Sequence, residues 1–511
     1  MRLTSRKSFF ITLILVSIIY LQSNFYDLIF LDDDTLVFYQ PVETSFGKNV
    51  TAILTTNFLD GHYYRPLTSF SFFVNSFLID NSPSVYHITN FLLHFLTAFL
   101  IFLILQKLDY STLIAFISAL VFAVNPIHIN AVGWIAGRGD LLASFLSVSA
   151  LYIFLHFIKN NRTELLIFVS LLIFLAFLSK EVSLIVPFLF LTFYFLEKKE
   201  ILLNKNSISV LIMFFVVLGS YYLVRLAISP TVHINKFSFL TYYKNILVLP
   251  QTVSKFFFPA GIKALPGSDL LTSILGGLIF LVLVILPFVL KKINRTRYYF
   301  GLVWFILLLI PGMVFRTMMQ DGFFYWDCRS YLPVIGFVFI TAEIFKTIRF
   351  DKNKTFSYGF VIVYILVLST VTFTKIRLYE NAISYWNAVK LDYPQKFLPY
   401  IGLYNYYDHI KDFSNAEDQL VQASKLRPNE FSIRDLLIKF YQKNNQSDKA
   451  FAIMKDTIYK KVSGSAALLE KFISLSLELN KKEEINELKI IYKDDAGVLE
   501  KISTIRAEQN L

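Results

Sequence analysis

Apolar runs close to twenty residues long recur through the first three-quarters of this chain, and no other feature constrains its fold as strongly. A run of that length matches the ~20 helical residues that cross a ~30 Å hydrocarbon layer, whereas a run of 10–14 would suit a buried core helix. Composition agrees: 55% of the 511 residues are hydrophobic and 17% charged, unlike an ordinary soluble enzyme. Runs fall at 9–20 and then roughly at 87–106, 111–127, 141–158, 164–179, 182–196, 208–228, 270–290, 298–315, 330–347 and 355–374, predicting about 11 transmembrane helices. Helix is the expected form because backbone in lipid must satisfy its own hydrogen bonds. The first run follows Arg2, Arg6 and Lys7 like a secretory signal, but no small-residue cleavage site comes after it, so it is predicted to remain as the first helix.

The charges give the topology. Residues 1–374 hold 28 Lys+Arg against 18 Asp+Glu, and residues 375–511 hold 21 against 19, so most of the net +12 lies between the apolar runs. With a cytoplasmic N-terminus, Lys107, Lys159, Arg162, Lys198, Lys291, Arg297, Lys346 and Lys354 all fall in cytoplasmic loops, as the positive-inside rule requires. That distribution argues against nucleic acid as the reason for the basic charge. The apolar but interrupted stretch 233–258 breaks the alternation if it is a span, and is read as an amphipathic segment on the outer surface. The one cysteine, Cys328, excludes an intrachain disulfide framework or a cysteine-based metal centre.

After Thr374 the character changes. Pro394 recurs as Pro428 after similar approaches, Ala388-Val-Lys-Leu-Asp-Tyr and Ala423-Ser-Lys-Leu-Arg, and Ala416 recurs as Ala450. A 34-residue period with small packing residues and a terminal proline is the pattern of tetratricopeptide (TPR) helix pairs, which stack and bind partners along a concave face. Two domains are expected: 1–374 in the membrane, with a large first extracytoplasmic loop at 31–86, and 375–511 as an extracytoplasmic helical tail.

Chemistry-bearing residues gather at the outer ends of the spans. Asp32, Asp33 and Asp34 follow the first helix; adjacent carboxylates beside apolar surface raise one another's pKa, which suits a general base or a divalent cation site, though a solvated acidic turn has the same pattern. Asp60-Gly-His-Tyr63-Tyr64-Arg65 sets aromatics around a cation fitted to a sugar or phosphate, while an interfacial Tyr-Arg anchor would look alike. His87 and His94 follow, with His94 read as a hydrogen bond between helices. Asn125-Pro126-Ile127-His128-Ile129-Asn130 and Gly137-Arg138-Gly139-Asp140 break two adjacent spans, with Arg138 placed for an anion and Asp140 read as a helix-start carboxylate. Lys180-Glu181 sits between two apolar runs, either as a mutual pair or facing a polar cavity. Arg316, Asp321 and Trp326-Asp327-Cys328-Arg329-Ser330-Tyr331 precede the tenth span. Cations on this side oppose the usual topological bias and imply a polyprenyl-phosphate ligand at the outer leaflet. No Walker motif, dinucleotide-binding glycine fingerprint or HExxH is present.

Taken together, Asp33-Asp34, Tyr64-Arg65-Pro66-Leu67, Tyr86-His87 through Asn90 and His94, Pro126-Ile127-His128 through Asp140, Ser179-Lys180-Glu181, Arg329-Ser330-Tyr331-Leu332-Pro333 and the terminal repeats resemble the transmembrane and TPR-containing O-mannosyltransferase-like family, among the GT-C membrane glycosyltransferases. The resemblance runs along nearly the whole chain. It implies an all-α membrane protein with a GT-C-type polytopic bundle and a C-terminal TPR domain. The implied activity is transfer of a hexose, such as mannose, from a polyprenyl-phosphate donor to a hydroxyl, often of protein Ser or Thr, with inversion. Asn125 and Asn130 depart from the family's His and Glu.

In such a reaction an acceptor hydroxyl attacks the anomeric carbon as lipid phosphate leaves. Asp33 or Asp34 is the expected catalytic base, and Arg138, Lys180 and Arg329, with Arg65 behind them, are the expected phosphate ligands. Asp32, Tyr64, His87, His128, Asp140 and Glu181 are expected in substrate-contacting or structural roles. No cofactor is required, although Asp33 and Asp34 offer ligands for a divalent metal. Partners would be a polyprenyl-phosphate-linked sugar, membrane lipid and a protein or peptide acceptor held by the tail. The chain would lie in a bacterial inner membrane by its composition, or in the ER membrane of a eukaryote. Two rivals need different behaviour: a membrane-anchored TPR scaffold needs none of these charges, and a flippase for lipid-linked saccharide needs a polar path through the whole bilayer.

Overall fold

The computed structural model describes residues 4–38, 45–58, 63–78, 81–198, 204–228, 245–313, 325–348, 354–493, 497, 499–500 and 502–504. Asp60, His62, Arg316, Asp321 and the stretch 229–244 lie outside them. The described residues form helices joined by short turns, with one isolated antiparallel bridge between Phe58 and Tyr63. The protein is an all-α membrane protein.

Among the described residues seven helices are long and apolar enough to cross a membrane: Ser5–Phe25, Pro83–Lys107, Ile135–Asn160, Lys205–Ile228, Leu270–Val289, Arg295–Met313 and Ser357–Tyr379. The pair Thr112–Ala123 and Pro126–Gly133 is long and apolar enough only when taken together, and is bent by 44° where Pro126 removes a backbone donor and the Asn125 side chain caps the Ile127 amide at 3.2 Å. Lipid contact is legible on the outward faces, where Leu271, Leu278 and Val289 leave more than half their surface uncovered.

The other three of the eleven expected spans become shorter helices, Leu165–Phe177, Val186–Lys198 and Ile335–Thr347. Each has 13 residues, which at 1.5 Å per residue is ~20 Å, short of the ~30 Å layer. What shortens them matters: 3-10 turns Glu181–Ile185 and Asp327–Ser330 interrupt the apolar pattern and carry charged residues at their starts. Irregular backbone of this kind is tolerated among membrane helices only where protein buries it or it lines a cavity.

Helices close on one another where side chains vanish. A Cβ on Gly301 would stand 2.5 Å from the Gly336 carbonyl oxygen, so Arg295–Met313 and Ile335–Thr347 touch backbone to backbone. The expected surface segment within 233–258 is corrected where it is described. Helix Val248–Phe257 is buried, with Gln251, Thr252, Ser254 and Lys255 all enclosed, because Lys255 Nζ meets the Asp327 carboxylate at 2.7 and 2.8 Å.

The chain divides into two compact units, Met1–Tyr385 and Trp386–Leu511, eleven residues beyond the expected boundary. Residues 375–385 stay with the first unit because Tyr379 accepts a hydrogen bond from Asn130 at 2.7 Å and Tyr385 donates to the Ala264 carbonyl at 3.2 Å. In the second unit helices pair as Leu398–His409 with Phe413–Leu426, Phe431–Lys443 with Ser447–Tyr459, and Leu469–Glu478 with Lys482–Ile491. Ala416 and Ala450, 34 positions apart, are fully buried at the crossings, and Leu420, Ile438, Met454 and Phe472 fill the core between pairs.

Candidate active site

The acidic run folds around its own middle residue. Asp33 accepts amide hydrogens from Ile29 at 2.8 Å, Leu31 at 2.8 Å and Asp34 at 3.1 Å, and is 1% exposed. Drawing three amides to one carboxylate forces Phe30 and Asp32 into left-handed backbone, with φ of 56° and 66°. Burial pushes the Asp33 carboxyl up to about 7; the Ile29 and Leu31 amides pull it back, and the Asp34 and Asp32 charges add to the rise. Asp33 and Asp34 were the expected base, yet Asp33 is spent on the turn and Asp34, second in the short helix Asp33–Phe38, does not line the cavity. Of the three aspartates, Asp32 lines the cavity, and its pKa is raised, first by loss of water around it and then by Asp34.

That cavity, about 230 Å³, is lined by the Asp32 turn with Leu36, by Phe58, Tyr63 and Arg65, by Trp134, Ala136 and Asp140 of the broken stretch, by residues at the 3-10 turns that start at Glu181 and Asp327, and by the end of Arg295–Met313. Trp134 ties the first to the third by donating its indole N–H to the Leu31 carbonyl at 2.8 Å. Gly137 keeps the broken stretch tight, since a Cβ there would stand 2.5 Å from the Ala131 oxygen.

Its charges are paired crosswise. Lys180 does not meet its neighbour Glu181 but reaches Asp140 at 2.5 Å, while Glu181 receives Arg65 through Nη2 at 2.8 Å and Nε at 3.0 Å. Arg65 also lies over the Tyr63 ring at 4.4 Å. Burial works against its charge, but Glu181 outweighs that and raises the Arg65 pKa above its ordinary value. Arg329 enters from the Asp327 turn and donates to the Gly312 carbonyl at 3.5 Å. This turn is held from behind by the Lys255–Asp327 pair and by Asn130, whose Oδ1 accepts the Cys328 amide at 2.8 Å. Burial raises the Cys328 thiol pKa, which keeps the thiol protonated.

Four expected site residues lie elsewhere. Arg138 is fully enclosed and its guanidinium is spent on Asn90 Oδ1 at 2.9 Å, the Tyr86 carbonyl at 2.7 Å, the Ser71 carbonyl at 3.3 Å and Asn75 Oδ1, over the Phe72 ring at 4.4 Å. It binds the protein's own carbonyls in place of a phosphate. Tyr64 is buried and donates to the Leu54 carbonyl at 3.0 Å. His87 is enclosed beside Tyr26, and His128 packs among Phe122, Tyr331 and His94. His94 bonds Tyr331 at 2.7 Å and the Ala123 carbonyl at 2.8 Å, as an inter-helix link should.

No protein-family model matches the chain. Curated relatives do. Over 391 residues it is 26% identical to a protein O-mannosyl-transferase of Caenorhabditis elegans, covering 64% of this chain and 54% of that protein. Over 101 residues it is 38% identical to the protein O-mannosyl-transferase TMTC1 of Homo sapiens, covering 20% and 11%. Over 120 residues it is 33% identical to the human protein O-mannosyl-transferase TMTC3, covering 24% and 13%. The chain is similar to the protein O-mannosyl-transferases. It spans about half the length of the worm relative and smaller shares of the human ones. The resemblance read from its motifs agrees with these relatives.

Asp33 accepts three amides, and among the described residues no group of three His, Cys, Asp or Glu is placed to hold an ion. Sequence reasoning missed Trp134 as a cavity residue and ranked Asp32 below its neighbours. The signal was faint: one of the chain's four tryptophans, Trp134, falls inside the motifs that carry the resemblance. A larger groove of about 1230 Å³, between the first helix, Thr112–Ala123 and Lys354–Lys375, is lined without a charged residue and offers no chemistry of this kind.

Proposed function

We propose that the chain is an integral-membrane glycosyltransferase that moves a hexose, mannose by the names of its relatives, from a polyprenyl-phosphate donor to a protein Ser or Thr hydroxyl. The observation that carries this reading is one cavity in which the Asp32 carboxylate faces Arg65, Lys180 and Arg329. In the reaction the acceptor hydroxyl attacks the anomeric carbon from the side opposite the phosphate and inverts it. The bond from that carbon to the phosphate oxygen breaks with its electron pair on the oxygen, and the hydroxyl proton passes to Asp32. A base with a raised pKa takes that proton more readily, and a placed base contributes ~10²–10⁴-fold. Arg65, Lys180 and Arg329 stabilise the charge gathering on the departing phosphate. Phosphate needs no general acid, and the cycle requires no divalent cation.

In this reading the three shorter helices complete the crossings together with their flanking turns, so that the N-terminus is cytoplasmic and the cavity and the tail, whose helix pairs hold the acceptor polypeptide, are extracytoplasmic. The host decides between a bacterial inner membrane and the ER. A scaffold would have no reason to assemble opposed charges in an enclosed cavity. The test is transfer of radiolabelled hexose from polyprenyl-phosphate donors to membrane and secreted proteins by purified wild type, Asp32→Asn and Arg329→Gln. Transfer lost in both variants supports the proposal, and transfer unchanged in both overturns it.

A further inference from the structure

We infer that the short helix Ile129–Gly133 sets the distance between the proposed base and the proposed phosphate ligand, with Trp134 as the positioning residue for Asp32 and Asn130 as the positioning residue for Arg329. The inference rests on the transferase reading and adds to it the two residues that hold its opposed charges apart. Asp32 and Arg329 come from distant parts of the chain, one in left-handed backbone and the other in a four-residue 3-10 turn. A base and a phosphate ligand serve one reaction only if held within ~0.5 Å of the productive geometry, and a short turn cannot secure that by itself.

The helix reaches both turns. At its C-terminal end the Trp134 indole N–H donates to the Leu31 carbonyl at 2.8 Å, on the residue before Asp32. One helical turn earlier, Asn130 Oδ1 accepts the Cys328 amide at 2.8 Å, on the residue before Arg329. Both bonds therefore grip backbone next to a functional side chain and use neither side chain itself. The Cys328 N–H can only donate, so the Asn130 oxygen must face it and the nitrogen must face Tyr379. Nδ2 donates to the Tyr379 hydroxyl at 2.7 Å, and that hydroxyl donates onward to the Ala264 carbonyl at 3.4 Å.

A spacer must be rigid, and this one is enclosed: Ile129, Ala131 and Val132 are buried, and a Cβ on Gly133 would stand 3.1 Å from the Tyr379 ring. Asn90 Nδ2 holds the exit by donating to the Trp134 and Ile135 carbonyls at 3.2 and 3.3 Å. Behind the Arg329 turn, Thr252 and Lys255 stand three positions apart on helix Val248–Phe257 and meet Ser330 and Asp327, three positions apart on the turn. In a 3-10 turn residues so spaced share a face. That clamp sets the rotation of the turn, and Asn130 sets its distance from Trp134.

Equilibrium binding of bare polyprenyl phosphate and steady-state hexose transfer, measured on purified full-length protein in nanodiscs, separate the two roles. Asn130→Leu, which keeps the volume and loses the acceptor, should weaken polyprenyl-phosphate binding about tenfold. In an Arg329→Gln background the same substitution should change binding less than about twofold, because its effect passes through Arg329. Trp134→Phe, which keeps a ring and loses the N–H, should lower kcat about tenfold with polyprenyl-phosphate affinity within about twofold of wild type, and should lower kcat by less than about twofold in an Asp32→Asn background. Tyr379→Phe, which keeps the ring beside Gly133 and removes the partner of Asn130 Nδ2, takes the place of Asn130→Leu in the same cycle if the leucine variant does not fold. Losses that persist in full in the Arg329→Gln and Asp32→Asn backgrounds, or no loss from either single substitution, would overturn the inference. Polyprenyl-phosphate binding that follows the Asn130 and Arg329 cycle in a protein without transfer would overturn the transferase reading and leave the Asn130 assignment standing; transfer with additive losses would do the reverse.

Discussion

Replacing Arg138 by Met should unfold the protein before it weakens donor binding. As a phosphate ligand Arg138 would face a cavity, and its loss would raise the KM for donor in a stable protein. The structure encloses it completely and commits it to Asn90, Asn75 and the carbonyls of Tyr86 and Ser71, with Phe72 and Tyr86 at 4.4 and 5.3 Å from its charge. Methionine fills similar volume but leaves four buried acceptors without a donor. Removing one member of a buried charged network costs ~3–5 kcal/mol, and the four bonds do not add independently. A loss of that size should lower the unfolding midpoint in detergent by on the order of 10 °C. The assay pairs a thermal unfolding scan with donor titration at a temperature where the variant is still folded. The expected result is a large drop in midpoint with donor KM within twofold of wild type. A midpoint within about 2 °C of wild type together with a tenfold rise in KM would refute the structural role and return Arg138 to the phosphate.

Asp32→Asn should cut hexose transfer ~10²–10⁴-fold with an unchanged unfolding midpoint. The base must be ionised, so wild-type rate should rise with pH through an acid limb displaced above the ordinary carboxylate range, and Asp34→Asn should move that limb to lower pH by removing a neighbouring negative charge. Lys255→Met should destabilise the protein by ~3–5 kcal/mol by leaving Asp327 buried without a cation, and Asp327→Leu in the same chain should recover most of it, as denaturant titration would read. In the second unit, Arg434 is 5% exposed and reaches Asp456 at 2.7 Å. Asp456 has a lowered pKa, so its share of stability is present above the ordinary carboxylate pKa and is lost as pH falls through the lowered value; limited proteolysis of the full chain should show Arg434→Met opening this unit at neutral pH.

Corrections to the sequence reading share one cause. Asp32, Asp33 and Asp34 are identical side chains in consecutive positions, and pattern alone cannot rank them. Only the path of the backbone separates them, because a turn that gathers three amides on Asp33 must rotate Asp32 outward. Lys180 and Glu181 are neighbours in sequence and pair with residues 40 and 116 positions away. Asn125 and Asn130, departures from the family pattern, prove to be braces: Asn125 donates to the Phe256 carbonyl at 2.9 Å and Asn130 joins Tyr379 to the Cys328 amide.

The amino-acid sequence by itself determined that this protein is helical, that it lives in a membrane, and that its polar residues gather at a few breaks in the apolar runs. These are local properties: run length against bilayer thickness, proline and glycine against helix continuity, and the cost of an uncompensated charge in lipid. Tertiary structure alone decided which charges face a cavity and which are enclosed by the protein's own carbonyls. Arg65, Arg138, Lys180 and Lys255 look equivalent along the chain, and two of them line the cavity while two are buried braces. The difference arises because a cation's role depends on the partners that packing brings to it, and the decisive partners here, Glu181, Asn90, Asp140 and Asp327, lie from 40 to 116 residues away.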